Sequence, residues 1–281
     1  MEIGIVGLGL IGGSLGFDLR TLGHTVKGVS RQPQTGEQAI AMGIVDHASI
    51  HLSSLRDTEV IFLCTPIAAI VPTVQQLIPY LQPDTILTDV GSVKEPIVEA
   101  ISPLWKQFIG GHPMAGKTTD GISAATPGLF ANRPYVLTPV DNTSPQALAR
   151  VEKLVHSLNA RLYHCSPSNH DRSVAWISHL PVIVSASLIA ACLEEDNTTV
   201  KQISQQLSSS GFRDTSRVGG GNPELGTMMA QYNQSCLLRS LHQYRQTLDR
   251  FIDQIEQSHW DKLAQELQKT QKERPRYLKE D

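Results

Sequence analysis

The stretch that most limits what this chain can become runs from Met1 to Ser14, where an apolar, β-branched run meets a glycine loop. Ile3 to Val6 reads as a strand. GLGLIG then places glycines at Gly7, Gly9 and Gly12, and Gly13-Ser14-Leu15 opens a helix read over Ser14 to Leu22. Strand, tight turn and helix in this order make a dinucleotide site: the first glycine permits the turn, the second lets the backbone approach a pyrophosphate, and the third lets helix pack on strand. Free N–H groups at the helix N-terminus face that pyrophosphate with a partial positive charge, and Leu10 and Ile11 in the loop are expected among the cofactor-binding residues.

The second strand, His24 to Val29, ends in Ser30-Arg31. A carboxylate near this point would bind the ribose hydroxyls of NAD and repel a 2′-phosphate. A hydroxyl and a guanidinium would instead hold that phosphate by charge-assisted hydrogen bonds, so the expected cofactor is NADP. A helix over Thr35 to Met42 leads to a third strand, Glu59 to Cys64, and Cys64-Thr65-Pro66 falls at its carboxyl end, where open parallel sheets bind ligands. A helix over Ile67 to Tyr80 follows, then strands at Thr85 to Val90, Phe108 to Gly110 and Pro134 to Thr138, with Ala160 to Cys165 as a possible edge. This alternation predicts an α/β fold with an N-terminal Rossmann-type, doubly wound parallel sheet.

Composition narrows the class. Of 281 residues 40% are hydrophobic and the net charge is −3, so no general attraction to nucleic acid or an anionic membrane is expected. The apolar stretch Leu180 to Leu193 reads as too short to span a bilayer. A strand at the very start leaves no room for a signal peptide, and four scattered cysteines read as reduced thiols of a cytoplasmic protein. With no CxxC and no HExxH, no metal site is expected.

Three distant segments carry the candidate chemistry: Ser92 with Lys94, His112 between glycines and a proline, and SSGFRDTSRVGGGNPEL at Ser209 to Leu225. The first two fall at carboxyl ends of neighbouring strands. A histidine there is a natural general base, and the Ser92 hydroxyl could fix its orientation. In the third, Arg213 and Arg217 could fork a substrate carboxylate, with Asp214 buttressing Arg217 and Gly221 among the adjoining glycines.

From residue 167 onward the pattern is helical, and an all-helical second domain over 167–281 is expected to follow the dinucleotide-binding domain at 1–166. Asp171 to Glu195 reads as a long helix buried on more than one side. Thr198 to Leu207 and Gly226 to Gln257 are further helices. Leu237, Leu238, Leu241, Leu248, Phe251, Ile252 and Ile255 form an apolar stripe, more than one small domain needs, which suggests a homodimer interface. Lys269 to Asp281 reads as a solvated tail.

Taken together, GLGLIGGSL, DVGSVK (Asp89 to Lys94), GGHPMAG (Gly110 to Gly116), ISHLP (Ile177 to Pro181) and FRDTSRVGGGNPEL resemble the prephenate/arogenate dehydrogenase family of tyrosine biosynthesis, most of all its short cyanobacterial arogenate dehydrogenases. The resemblance covers nearly the whole chain. It implies NADP-dependent oxidation and decarboxylation of L-arogenate to L-tyrosine without a metal. His112 would take the ring-hydroxyl proton, Ser92 would be its hydrogen-bonding partner, Arg217 would bind a carboxylate supported by Asp214, His179 would belong to the substrate pocket, and Lys94 matches a motif lysine that would either join that pocket or serve a structural role. Two positions depart from the family's pattern: Lys117-Thr118 stands where many relatives have Thr-Glu, and Gly226 where many have Trp. No residue decides between arogenate and prephenate. A β-hydroxyacid dehydrogenase or pyrroline-carboxylate reductase would lack GGHPMAG, and a non-catalytic NADPH sensor would have no need of His112, Ser92 and Arg217 together.

Overall fold

The computed structural model describes residues 1–117 and 119–278. Eight strands, β1 (Glu2–Val6), β2 (Thr25–Val29), β3 (His47–Ser49), β4 (Val60–Leu63), β5 (Ile86–Asp89), β6 (Phe108–Pro113), β7 (Pro134–Thr138) and β8 (Arg161–His164), form one sheet in the order β3-β2-β1-β4-β5-β6-β7-β8. β1 is central, flanked by β2 and β4 in parallel register (Ile5↔Gly28 and Ile5↔Phe62). The chain therefore winds one way from β1 to β3 and the other way from β4 onward, and the crevice where it reverses opens at the carboxyl ends of β1 and β4.

Helices α1 (Leu10–Thr21), α2 (Pro33–Ala41), α3 (Ile67–Leu77), α4 (Glu95–Ile101) and α5 (Pro145–Ser157) accompany the sheet. Two buried clusters line it: one joins Ile3, Ile5, Leu15, Leu19, Phe62 and Tyr135, the other Ile61, Leu63, Ile70, Val74, Leu87 and Ile97. β4 reads Val-Ile-Phe-Leu with every residue buried, because its alternate side chains feed both clusters.

The sheet is the expected doubly wound, predominantly parallel one, with a single antiparallel pair among the described residues. β5 and β6 pair in parallel through Thr88↔Ile109, but β6 continues to Pro113 and pairs antiparallel with β7 through Gly110↔Thr138 and His112↔Val136. His112 thus lies within a strand, not in a loop beyond one. β3 and α4 complete the unit, neither anticipated; β3 is too short to carry an alternation signal. α1 begins at Leu10, four residues before the expected start, because the glycines adopt helical backbone once packed against the sheet.

Beyond β8, α6 (Pro167–Val174), a π turn (Ala175–His179) and α7 (Leu180–Leu193) make one continuous helix. At 27 residues the whole run is long and apolar enough to cross a membrane by length and composition only, while the stretch Leu180–Leu193 is its 14-residue second half. Pro181 lies in the middle of this run, two residues after the π turn, and the irregular turn accommodates the missing N–H. The expectation of burial on more than one side is corrected: Trp176, Ile177 and Leu193 are exposed in the single chain. Helices α8 (Thr198–Leu207), α9 (Ser210–Ser216), α10 (Pro223–Tyr232), α11 (Gln234–Glu256) and α12 (Trp260–Glu273) follow, the expected helix from Gly226 being broken at Asn233. The apolar stripe lies along α11, with Leu237 buried and Leu238, Leu248, Ile252 and Ile255 exposed.

Candidate active site

The glycine loop forms a cradle. Gly7 has φ +97°, and a Cβ there would lie 2.5 Å from the carbonyl oxygen of Cys64; a Cβ on Gly12 would collide with the carbonyl of Gly7. β1, β4 and α1 are therefore too close for side chains at these positions. Gly9 differs: a Cβ there meets nothing within 4 Å, and no side chain caps α1. The leading amides of α1, from Leu10, Ile11 and Gly12, open onto this space, which suits a pyrophosphate. The far wall is Cys64-Thr65-Pro66. The Thr65 hydroxyl is buried without a hydrogen-bond partner, and burial pushes the Cys64 thiol well up, with the Asp89 charge adding to the effect. Past β2, the Ser30 hydroxyl accepts from the Gln32 amide at 3.3 Å and Arg31 is exposed. No carboxylate stands there, so a dinucleotide with or without a 2′-phosphate fits.

Next to the cradle, the interior of the sheet holds a lysine. Lys94 is fully buried; its Nζ donates to Asp89 Oδ2 and, at 2.8 Å, to the Gly111 carbonyl. Asp89 also accepts the amides of Gly91 (2.8 Å) and Gly111 (3.1 Å). A Cβ on Gly111 would lie 2.7 Å from the Asp89 carbonyl, so the paired glycines let β6 close over this ion pair. Of the two roles open to Lys94, substrate contact or structural support, these contacts favour the second. Its ammonium is an internal strut between β5 and β6, because both of its partners lie beneath the strand that carries His112.

His112 itself is 8% exposed. Its Nδ1 stands 2.8 Å from His170 Nε2, and the rings meet edge to face at 71°. His170 Nδ1 stands 2.7 Å from Asp171 Oδ1, and the Asp171 carboxylate accepts the amides of Lys94 (2.7 Å) and Glu95 (2.8 Å) at the start of α4. Burial holds His112 well below the usual histidine range, with His170, Lys94 and His179 acting the same way, so the ring is neutral and able to accept a proton near pH 7. Ser92 does not supply the expected orienting bond. His112 Nδ1 is taken by His170, and the buried Ser92 hydroxyl has no partner.

A second imidazole stands on the same helix. Asn233 Nδ2 donates to the Asp171 carbonyl (2.8 Å), which fixes the amide, and it lies 3.1 Å from His179 Nδ1. His179 Nδ1 must therefore accept, which places the ring proton on Nε2. That nitrogen is buried with no partner. Burial pulls His179 down to about 4 against the opposing pull of Asp171, with His170 adding to the drop. His179 is thus a neutral donor awaiting an acceptor.

The arginine segment lies farther along. Ser185 Oγ in α7 donates to the Thr215 carbonyl (2.8 Å) and accepts the Gly219 amide (2.9 Å), and a Cβ on Gly219 would clash with the Ala186 amide. The turn at Arg217–Gly220 is thereby clamped onto α7 at Ser185, six residues and roughly 9 Å along the axis from His179. Arg217 is exposed, and no hydrogen bond joins it to the imidazoles among the described residues. Asp214 pairs with Arg213 (3.2 Å), both exposed, not with Arg217. This corrects the buttress: adjacent side chains at the end of a short helix meet first. Gly221 is exposed just beyond the turn. A Cβ on Gly226 would approach only Val182, at 3.7 Å, so this departure leaves room beside α7. Lys117 donates to the Ala124 carbonyl, and Thr118 lies outside the described residues.

Sequence reasoning missed His170, Asp171 and Asn233. The first two read as the start of a helix, the third as helix interior, and nothing in their spacing ties them to His112. A dinucleotide cradle beside a buried, neutral imidazole defines an NAD(P)-binding dehydrogenase. Comparison with known proteins gives the family: the nucleotide-binding domain of prephenate dehydrogenase matches residues 15–164 and its dimerization domain residues 166–269, so the chain belongs to the prephenate dehydrogenase family. It is 54% identical to the crystal structure of Synechocystis arogenate dehydrogenase, covering 99% of this chain and 100% of that one with a TM-score of 0.89. Among curated relatives it is 29% identical to prephenate dehydrogenase of Bacillus subtilis (strain 168), over 92% of this chain and 71% of that protein. It is 27% identical to cyclohexadienyl dehydrogenase of Zymomonas mobilis, over 97% and 94%.

Proposed function

We propose that the chain catalyses the NADP-dependent oxidative decarboxylation of L-arogenate to L-tyrosine. The observation that carries this reading is the 54% identity, along the full length of both chains, to an arogenate dehydrogenase. The buried neutral His112 supplies the chemistry it requires. NADP is favoured by Ser30-Arg31 at the end of β2, where a carboxylate would select NAD. The curated relatives named for prephenate favour a second reading, oxidation of prephenate to 4-hydroxyphenylpyruvate by the same residues.

Bound nicotinamide supplies the hydride acceptor. His112 Nε2 takes the proton of the hydroxyl opposite the ring carboxylate as that carbon is oxidised. Loss of carbon dioxide then makes the ring aromatic, which supplies the driving force and leaves the protein to align groups and hold a base. Ser92 offers its unpaired hydroxyl to the reacting oxygen or to His112. Arg217 binds a carboxylate, with Arg213, Asp214 and Gly221 shaping that side. His179 donates its free N–H to the substrate. Gly7, Gly9, Leu10, Ile11, Gly12, Cys64, Thr65 and Pro66 hold the dinucleotide, and Ser30 and Arg31 hold its 2′-phosphate. No metal takes part in this scheme. We divide the chain at residue 166, and infer a homodimer through the exposed faces of α7 and α11. The four free thiols suit a cytoplasmic enzyme.

The test crosses arogenate and prephenate with NADP and NAD, following nicotinamide reduction. Arogenate with NADP should give the highest kcat/KM. His112→Asn should cut kcat roughly 10²–10⁴-fold while NADP still binds. Preference for prephenate would move the reading to the second substrate, and normal turnover by His112→Asn would end it.

A further inference from the structure

We propose that His170 and Asp171 are positioning residues that lock His112 in its Nδ1–H tautomer, so that the lone pair of the base stands on Nε2. This rests on His112 being the base of the proposed reaction. The argument runs outward from the carboxylate. Asp171 faces only donors, the Lys94 and Glu95 amides at 2.7 and 2.8 Å, and a carboxylate can only accept. His170 Nδ1, at 2.7 Å, must therefore donate to it. On this proposal the His170 ring is neutral: its one proton is then the one on Nδ1, and Nε2 keeps a lone pair and accepts. His112 Nδ1, 2.8 Å away, must then be the donor.

The same chain holds the imidazolium after reaction. When His112 Nε2 takes the substrate proton, Nδ1–H already points at His170, and His170 points at the negative charge of Asp171. No further group has to move. His170 and Asp171 are 2% and 1% exposed, and both lie on α6, whereas His112 lies on β6. One helix thus fixes a tautomer in the sheet beside it. The other device on this helix, Asn233 on His179, gives the opposite result, an Nε2–H. The site therefore presents one acceptor and one donor imidazole, both uncharged.

Two variants and one spectrum test this. His170→Leu removes the acceptor at similar volume. His170→Gln can return an amide oxygen to the place of Nε2. His170→Leu should lower kcat roughly 10²-fold with KM and NADP affinity within about threefold of the parent. His170→Gln should recover at least about tenfold of that loss. A residue that only packs would change stability or KM in both variants alike and would not be rescued by an acceptor. Imidazole-nitrogen NMR of the parent protein, with His112 assigned through His112→Asn, should show the Nδ1–H form. An Nε2–H form overturns the proposal, as does an unchanged kcat in His170→Leu or equal loss in both variants. The spectrum decides even if His170→Leu does not fold. It also decides if the parent oxidises neither substrate, the outcome that would defeat the proposed reaction instead.

Discussion

Replacing Lys94 by methionine keeps the volume of the strut beneath β6 and removes its charge. Lys94 and Asp89 are both fully buried, so Lys94→Met leaves a carboxylate inside the protein without its countercharge and the Gly111 carbonyl without its donor. Breaking one side of a buried ion pair costs about 3–5 kcal/mol. The Gly91 and Gly111 amides still reach Asp89, which puts the expected loss at the lower end, about 3 kcal/mol. Asp89→Asn alone strands a buried ammonium and costs a similar amount. The double variant removes both charges and should lose only about 2–3 kcal/mol in total, a coupling of roughly 3 kcal/mol. Urea unfolding of all four proteins at pH 7 measures the cycle. Destabilisation of Lys94→Met by less than about 0.5 kcal/mol, or additivity in the double variant, would refute the strut.

Arg217→Ala should raise KM for the substrate about tenfold or more, the loss expected of a charged hydrogen bond, with NADP affinity unchanged; steady-state kinetics at varied substrate reads this, and an unmoved KM removes Arg217 from the site. Arg31→Ala should weaken NADP about tenfold and leave NAD unaffected, measured by fluorescence titration with each; equal weakening of both would show that no 2′-phosphate is held there. The depressed His179 makes stability depend on pH in a definite sense. Between 6.5 and about 4 the unfolded chain binds a proton that the folded chain refuses, so stability falls as pH drops through this window and is unaffected above it. The drop attributable to His179 is roughly 3 kcal/mol, and His179→Gln should flatten it in unfolding curves taken at stepped pH. An identical pH profile in that variant would mean that His179 is not buried neutral.

The first half of the site was readable because backbone constraints leave a mark in composition. Gly7 and Gly12 are glycines because neighbouring carbonyls fill the place of a Cβ, and the sequence shows this as a spaced motif. The doubly wound sheet was readable for a related reason, since buried parallel strands such as β4 are written as unbroken apolar runs. Tertiary pairing leaves no such mark. The reversal of β7 against β6 depends on what strand lies alongside. The role of Lys94 stayed open in the sequence because a lysine in a motif looks the same whether its ammonium meets substrate or Asp89. His170 and Asp171 were invisible as site residues because their partners lie on other elements, His112 at 58 positions from His170 and the Lys94 and Glu95 amides at 77 and 76 from Asp171. Asp214 was assigned to the wrong arginine because helical spacing was used where the helix ends.

The contact between His112 and His170 has a mechanical meaning for the whole molecule. The base is anchored in the sheet, while the ring that holds it belongs to the helix that begins the second half of the chain. Parting the two halves at this seam would lengthen a 2.8 Å contact and set the imidazole free to turn. If His112 is the base of the proposed reaction, it is held in place only while this seam is closed. Proton transfer in the proposed reaction then waits on a closed seam, which makes the fit between sheet and helix a part of the proposed catalyst.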